Sequence, residues 1–185
     1  ADAVGAFGAS GADTIDVAGT PAGASFLAGD VSDTVLGGAL DETIDGGAGA
    51  DVIFSGGGAD LIDVSQGRDT VVLGLLGATI ATPAVVGAGR GDRLEFVPAG
   101  DVTADFIGPS DFSGEAGQVR SSFAGLDTQL EIDLDGDLEV DGAVVLEGVF
   151  ADLSAERGDD DVLALVVDAI RTNRRPEIGS GTLAF

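Results

Sequence analysis

Residues 46–54 read GGAGADVIF, which satisfies every position of the nonapeptide pattern G-G-x-G-x-D-x-U-x, where U is a large aliphatic residue. Small turn residues that expose backbone carbonyls and end in a carboxylate, followed by a short apolar strand, suit a hard cation such as calcium. The phase persists on both sides. Residues 28–36 (AGDVSDTVL), 37–45 (GGALDETID), 55–63 (SGGGADLID) and 64–72 (VSQGRDTVV) keep the same register. The eighth positions, Val35, Ile44, Ile53, Ile62 and Val71, are all β-branched and suit the inner face of pleated strands. One coil of a parallel β-roll takes two nonads, so Val35, Ile53 and Val71 are expected to stack on one sheet and Ile44 and Ile62 on the other. Residues 8–16 (GASGADTID) repeat the pattern two residues out of phase with Ala28, so residues 8–72 read as the roll, with 8–27 as its irregular capping end.

The charge balance points the same way. Thirty-three acids stand against eight basic residues, all arginine, for a formal charge of −25 that would drive a compact chain apart unless cations offset it. A salt-adapted acidic composition would account for the excess charge but not for its periodic placement beside glycine. Nucleic acid is not an expected partner of such a surface. With no His and no Cys, the chain lacks the usual zinc ligands, the usual general base, any Ser-His arrangement and any disulfide. A hydrophobic fraction of 44% is too high for a disordered tail. No window reaches membrane-spanning length, and no N-terminal stretch has the basic and apolar regions of a secretory signal.

Residues two nonads apart should face each other across an ion. The pairs are Asp33 with Asp51, Glu42 with Asp60, and Asp51 with Asp69. Each calcium needs six or more oxygens, so main-chain carbonyls must supply the remainder. For the first pair these are expected near Gly29, Val31, Gly46 and Ala48. For the second they are Gly38, Leu40, Ser55 and Gly57, and for the third Gly47, Gly49, Val64 and Gln66. The sequence thus predicts about three or more calcium ions. Glu42 is longer than the Asp of the pattern, and Val64, Ser65 and Gln66 replace small residues, so the second and third sites should be weaker. A turn Asp can also end a strand without any metal. A second acidic stretch, DLDGDLEVD at 133–141, departs from the EF-hand spacing and reads as a tight hairpin with solvated carboxylates.

After Val72 the period dissolves. Residues 73–89 read as an apolar, Gly-rich connector covering the open end of the roll. From Gly91, GDRLEFV, QVRSSFA, TQLEIDL, DLEV and AVVLEGV alternate like short strands separated by turns. DDDVLALVVDAIRTNRRPE allows a C-terminal helix from about Asp160 to Arg174, with three Asp at its start and Arg171, Arg174 and Arg175 at its end. A strand over DVLALVV competes. As a helix it would align Leu163, Val166, Val167 and Ile170 for homo- or hetero-association. The expected fold is all-β: a parallel β-roll over 1–72, a β-sandwich over 73–167 and an extension over 168–185.

The nonads resemble the RTX (repeats-in-toxin) calcium-binding repeat. The later half is similar to the C-terminal domain of serralysin-type secreted metalloproteases, through GRDTVVL at 67–73, GDRLEF at 91–96, DFIGPSDFSGEAGQVR at 105–120 and DLDGD at 133–137. That resemblance implies a roll joined to a sandwich, a type I secretion apparatus as partner, and folding when calcium is met outside the cell. The protease domain and its HExxH helix are absent from these residues, which contain no His.

The expected function is a non-catalytic calcium-binding module, secreted or at the cell surface, that serves export, stability or adhesion. The alternative is a calcium-dependent carbohydrate-binding module. Against it stand the absence of Trp and Tyr to stack on sugar rings and the charge of −25. Paired carboxylates could also serve a glycosidase, but no pair stands apart from the calcium pattern.

Overall fold

The computed structural model describes residues 5–8, 10–16, 24–74, 82–97, 102–157 and 162–170. These form strands throughout. In the repeat region they are β1 Gly5–Phe7, β2 Thr14–Asp16, β3 Ser25–Leu27, β4 Thr34–Leu36, β5 Thr43–Asp45, β6 Ala48–Gly49, β7 Val52–Phe54, β8 Leu61–Asp63, β9 Gln66–Gly67 and β10 Thr70–Gly74. Beyond it lie β11 Ala84–Val86, β12 Arg93–Val97, β13 Asp105–Gly108, β14 Gln118–Ala124, β15 Asp127–Asp133, β16 Gly142–Glu147, β17 Ala151–Arg157 and β18 Leu163–Ile170.

The coil follows from the nonad. A short strand ends where a turn begins, the next strand lands on the opposite sheet, and the third returns beside the first. One sheet therefore runs β1-β3-β5-β8-β11-β16-β15-β14-β13 and the other β17-β18-β12-β10-β7-β4-β2. Pairing is parallel from β1 through β11 and from β2 through β12, and antiparallel among β14, β15 and β16 and where β18 meets β12 and β17. The fold is all-β and its repeat region is a parallel β-roll.

Register places the eighth positions in two facing stacks, as the sequence predicts. Val35, Ile53, Val71 and Leu94 align on one sheet, continued by Leu165. Phe26, Ile44, Ile62 and Val85 align on the other, continued by Leu146. All are buried. Each such side chain removed from water contributes about 1.5–3 kcal/mol, so the core is one continuous apolar seam rather than two separate ones.

The same strands reach past residue 72. The stretch read as a connector contains β11, which pairs in parallel with β8, and β12 does the same with β10. Val85 and Leu94 thus continue the two stacks, and residues 87–95 form a further nonad with Leu94 at its eighth position. The period hides them, because extra residues before them shift the phase and Pro83 stands where the pattern asks for an acid.

Three expectations for the C-terminal half change. Residues 163–170 form β18 and not a helix, for Leu163, Ala164, Leu165 and Val167 are all buried between β12 and β17. A short apolar run buried on both faces cannot be told from a helix by periodicity alone. Of the apolar face expected for association, Leu163 and Val167 lie in the chain's own core, Val166 is half-buried, and the side chain of Ile170 lies outside the described residues. Arg171, Arg174 and Arg175 lie outside the described residues. Residues 134–141 make a loop rather than a tight Asp-Gly hairpin, because Ile132 pairs with Gly142. Asp133, fully buried instead of solvated, accepts N–H bonds from Gly136 (2.7 Å) and Leu138 (3.1 Å), which draws DLEV out of strand pairing. The FSGEAGQVR string packs locally: Gln118 bonds Ser113 at 2.7 and 2.9 Å, and Arg120 pairs with Glu131 at 2.7 Å while lying over the Phe112 ring.

Candidate metal centre

Each nonad ends its turn at the sixth position, and the coil brings every second sixth position to the same edge. On one edge the carboxylate of Asp51 accepts the N–H of Asp33 at 2.8 Å, and that of Asp69 accepts the N–H of Asp51 at 2.9 Å. Asp33 does the same for Asp13 at 2.7 Å. On the other edge Asp60 accepts the N–H of Glu42 at 2.9 Å. Sequence spacing alone paired Asp33 with Asp51, Asp51 with Asp69 and Glu42 with Asp60, and the coil brings all three pairs together.

Each of these aspartates spends one oxygen on the neighbouring coil, while Glu42 spends its Oε2 on the N–H of Gly38 in its own turn, at 3.1 Å. The other is left over. Asp33 Oδ2, Asp51 Oδ2, Asp60 Oδ2, Asp69 Oδ2 and Glu42 Oε1 are buried and have no hydrogen-bond partner. A buried carboxylate oxygen without a donor costs about 1–3 kcal/mol or more, so five of them demand a counter-ligand. No Lys exists, and among the described residues no arginine is paired with any of the five. A cation of high coordination number fits such a donor set, because hard oxygens are all that it offers.

The electrostatics agree. Burial above all raises Asp60 to about 7, the Glu42 N–H bond opposing and the Glu42 carboxylate adding to the rise. Asp69 is raised to about 6, again by burial, with the Asp51 N–H opposing and the Asp51 and Asp92 charges adding. Asp51 is raised by burial, with Asp33 and Asp45 contributing.

The predicted carbonyls all lie on the turns that carry these acids. Gly29 O accepts the N–H of Ala48, Gly38 O that of Gly57, and Gly49 O that of Arg68, at 2.8, 2.8 and 3.3 Å. Each carbonyl keeps a second lone pair. Close stacking of the turns requires glycine: at Gly47, with φ of +80°, a Cβ would stand 2.0 Å from Gly29 O. Ala48 and Gly49 pair with Gln66 and Gly67, and Asp30 bridges to Ala48, so Gln66 is drawn into turn-to-turn pairing. Gly46 N donates to Asp63 O, and Val64 and Ser55 are buried beside the seam. Val31 and Leu40 stand exposed at the fourth positions, where the pattern asks for glycine.

Residues 28–71 match the RTX calcium-binding nonapeptide repeat, in four copies. The chain carries RTX repeats. These repeats bind calcium, and the run of buried Asp residues fits that ion. No curated protein matches the chain. No helix among the described residues is long and apolar enough to cross a membrane.

Sequence reasoning missed Asp92, which is buried and accepts the N–H of Asp69 at 3.0 Å. The signal was there, for GAGRGD at 87–92 is a degenerate turn ending in Asp two positions before Leu94. A second acidic cluster joins Asp133, Asp135 and Asp141, whose carboxylate oxygens lie within 4.8 Å of one another. Its acids already accept backbone N–H groups: Asp133 from Gly136 and Leu138, Asp135 from Asp137, Asp141 from Leu134.

Proposed function

We propose that this chain is a calcium-folded module of an exported protein, held open by its own charge where calcium is scarce and closed by the ion outside the cell. The observation that supports this reading is the set of five buried carboxylate oxygens without a partner. Asp33 with Asp51, Glu42 with Asp60 and Asp51 with Asp69 are the proposed ligand pairs, for about three or more ions, completed by the turn carbonyls named above. A ligand that binds only the folded coil stabilises it by mass action, by about 2.7 kcal/mol at a hundred times its dissociation constant. Metal binding and folding are then one equilibrium.

The RTX repeats and the resemblance of the later half to secreted proteins support type I export and an extracellular role in stability or adhesion. An extended, self-repelling chain suits passage through an exporter, and extracellular calcium supplies the folding step. Far-ultraviolet circular dichroism during a calcium titration, with magnesium as control, tests the reading. The β signal should appear with calcium alone; a chain equally β-rich in chelator would defeat the proposal.

A further inference from the structure

On the longer carboxylate edge, the last acid differs from those before it. Asp33, Asp51 and Asp69 each give one oxygen to a neighbouring N–H and keep one buried and unpartnered. Asp92 gives both away. Its Oδ1 accepts the N–H of Asp69 at 3.0 Å, and its Oδ2 accepts the N–H of Gly89 at 2.6 Å. Its own N–H donates to Gly89 O at 3.2 Å, so the turn closes on itself. The residue is buried, yet no oxygen of its side chain is left without a donor.

The backbone around Asp92 ties three segments together. Arg93 N donates to Asp69 O at 2.8 Å, Val167 N to Asp92 O at 2.9 Å, and Gly91 N to Val167 O at 2.8 Å. The last carboxylate of the edge therefore sits where the final coil meets β18.

We propose that Asp92 is a metal-free rung: a positioning residue that fixes Asp69, the last proposed calcium ligand on this edge, without binding calcium itself. It holds the Asp69 peptide as Asp69 holds that of Asp51, but peptide donors take the place of the ion. Two N–H donors stabilise a buried carboxylate without a cation. The last proposed ion on the edge thus rests on a seat whose far side is made of protein and is anchored to the closing strand. This assignment rests on the calcium ladder proposed above.

The test compares Asp92→Asn with the unaltered chain and with Asp69→Asn. Asn keeps the volume and one acceptor but turns an amide group toward a donor. Bound calcium is counted by equilibrium dialysis, folding is followed by circular dichroism, and amide exchange is read at saturating calcium. Asp92→Asn should bind as many ions as the unaltered chain, need roughly three- to tenfold more calcium for half-folding, and exchange faster at the Asp69 and Gly89 amides. Asp69→Asn should lose bound calcium. Loss of an ion in Asp92→Asn would make Asp92 a ligand and overturn the assignment, as would an unchanged midpoint with unchanged exchange. Should Asp92→Asn fail to fold even at saturating calcium, Gly89→Pro is read by the same ion count and midpoint and by exchange at the Asp69 amide. The proline ring takes the place of the second donor, so Asp92 Oδ2 loses that N–H and must turn away from it. An unaltered chain that binds no calcium at all would instead sink the ladder and leave Asp92 a plain turn residue.

Discussion

One edge of the roll stacks Asp13, Asp33, Asp51, Asp69 and Asp92, joined by N–H to carboxylate bonds at sequence separations of 20, 18, 18 and 23 residues. The opposite edge stacks Ala24, Glu42, Asp60 and Pro83, and only Glu42 and Asp60 repeat the bond. Yet the parallel strand pairing runs on beside both edges: β3 pairs with β5 beside Ala24, and β11 pairs with β8 beside Pro83. The coil is therefore set by the apolar stacks and the backbone ladder. The acids are laid over it, and what they control is charge.

That division orders the consequences of substitution. Ile53→Ala removes a fully buried side chain from the stack that both edges share. It should cost about 2–5 kcal/mol in saturating calcium, measured by denaturant unfolding, and weaken both edges together. An effect confined to one edge in amide exchange would mean that the two stacks are not one core.

Asp51→Ala should act on the longer edge alone. It removes the acceptor for Asp33 N–H, the donor's partner at 2.8 Å, and a proposed ligand of two ions. The calcium midpoint for folding should rise at least tenfold, with about 1–3 kcal/mol lost from the orphaned peptide group. Asp60→Ala should abolish binding on the shorter edge only. Asp111→Ala, at a fully exposed position, serves as reference; an Asp51→Ala effect no larger than its own would refute the ladder.

The edges should also separate by pH. Asp60 is raised to about 7 and Asp69 to about 6, both mainly by burial. A carboxyl whose folded pKa lies above its unfolded value of about 3.9 binds more protons when folded, so its stabilising contribution is present at low pH and lost as pH rises through the folded value. In chelator, acidification from pH 8 to 5 should accordingly favour the compact coil. In calcium the sign reverses, for protons compete with the ion and the midpoint should climb as pH falls through 7 and then 6. Asp60→Asn should remove the upper part of that dependence and leave the lower part, as read by calcium titrations at several pH values. Identical curves for the variant and the unaltered chain would break the comparison.

Legibility follows the same line. Wherever a nonad carried its acid in phase, the sequence disclosed the coil, the inward residues and the facing pairs; Asp33, Asp51, Asp60 and Asp69 stand where the period put them. Where the acid was missing, as at Ala24 and Pro83, the repeat was invisible although Phe26 and Val85 hold the core positions. Asp92 was hidden by a shift in phase. Strand β18 was ambiguous because LALVV is apolar on every face, and only its place between β12 and β17 decides the matter. The loop at 134–141 depended on what Asp133 bonds, which composition does not reveal.

The smallest expected effect tests how far the fourth turn position can depart from glycine. Gly49, Gly58 and Gly67 take positive φ there, and Val31 takes +82° in the same role. For a β-branched residue that conformation is strained by roughly 1–2 kcal/mol. The side chain is half exposed, at 52%, and packs little in return. Val31→Gly should relieve the strain, with part of the gain offset by the greater freedom of glycine in the unfolded chain. A net gain of about 1 kcal/mol would raise the melting temperature in calcium by about 2–4 °C for a chain of this size. The gain should appear on the longer edge, as a lower calcium midpoint for the Asp33 and Asp51 pair, while the Glu42 and Asp60 pair stays as it was. A lower melting temperature would mean that Val31 holds its turn by contacts stronger than the strain it carries.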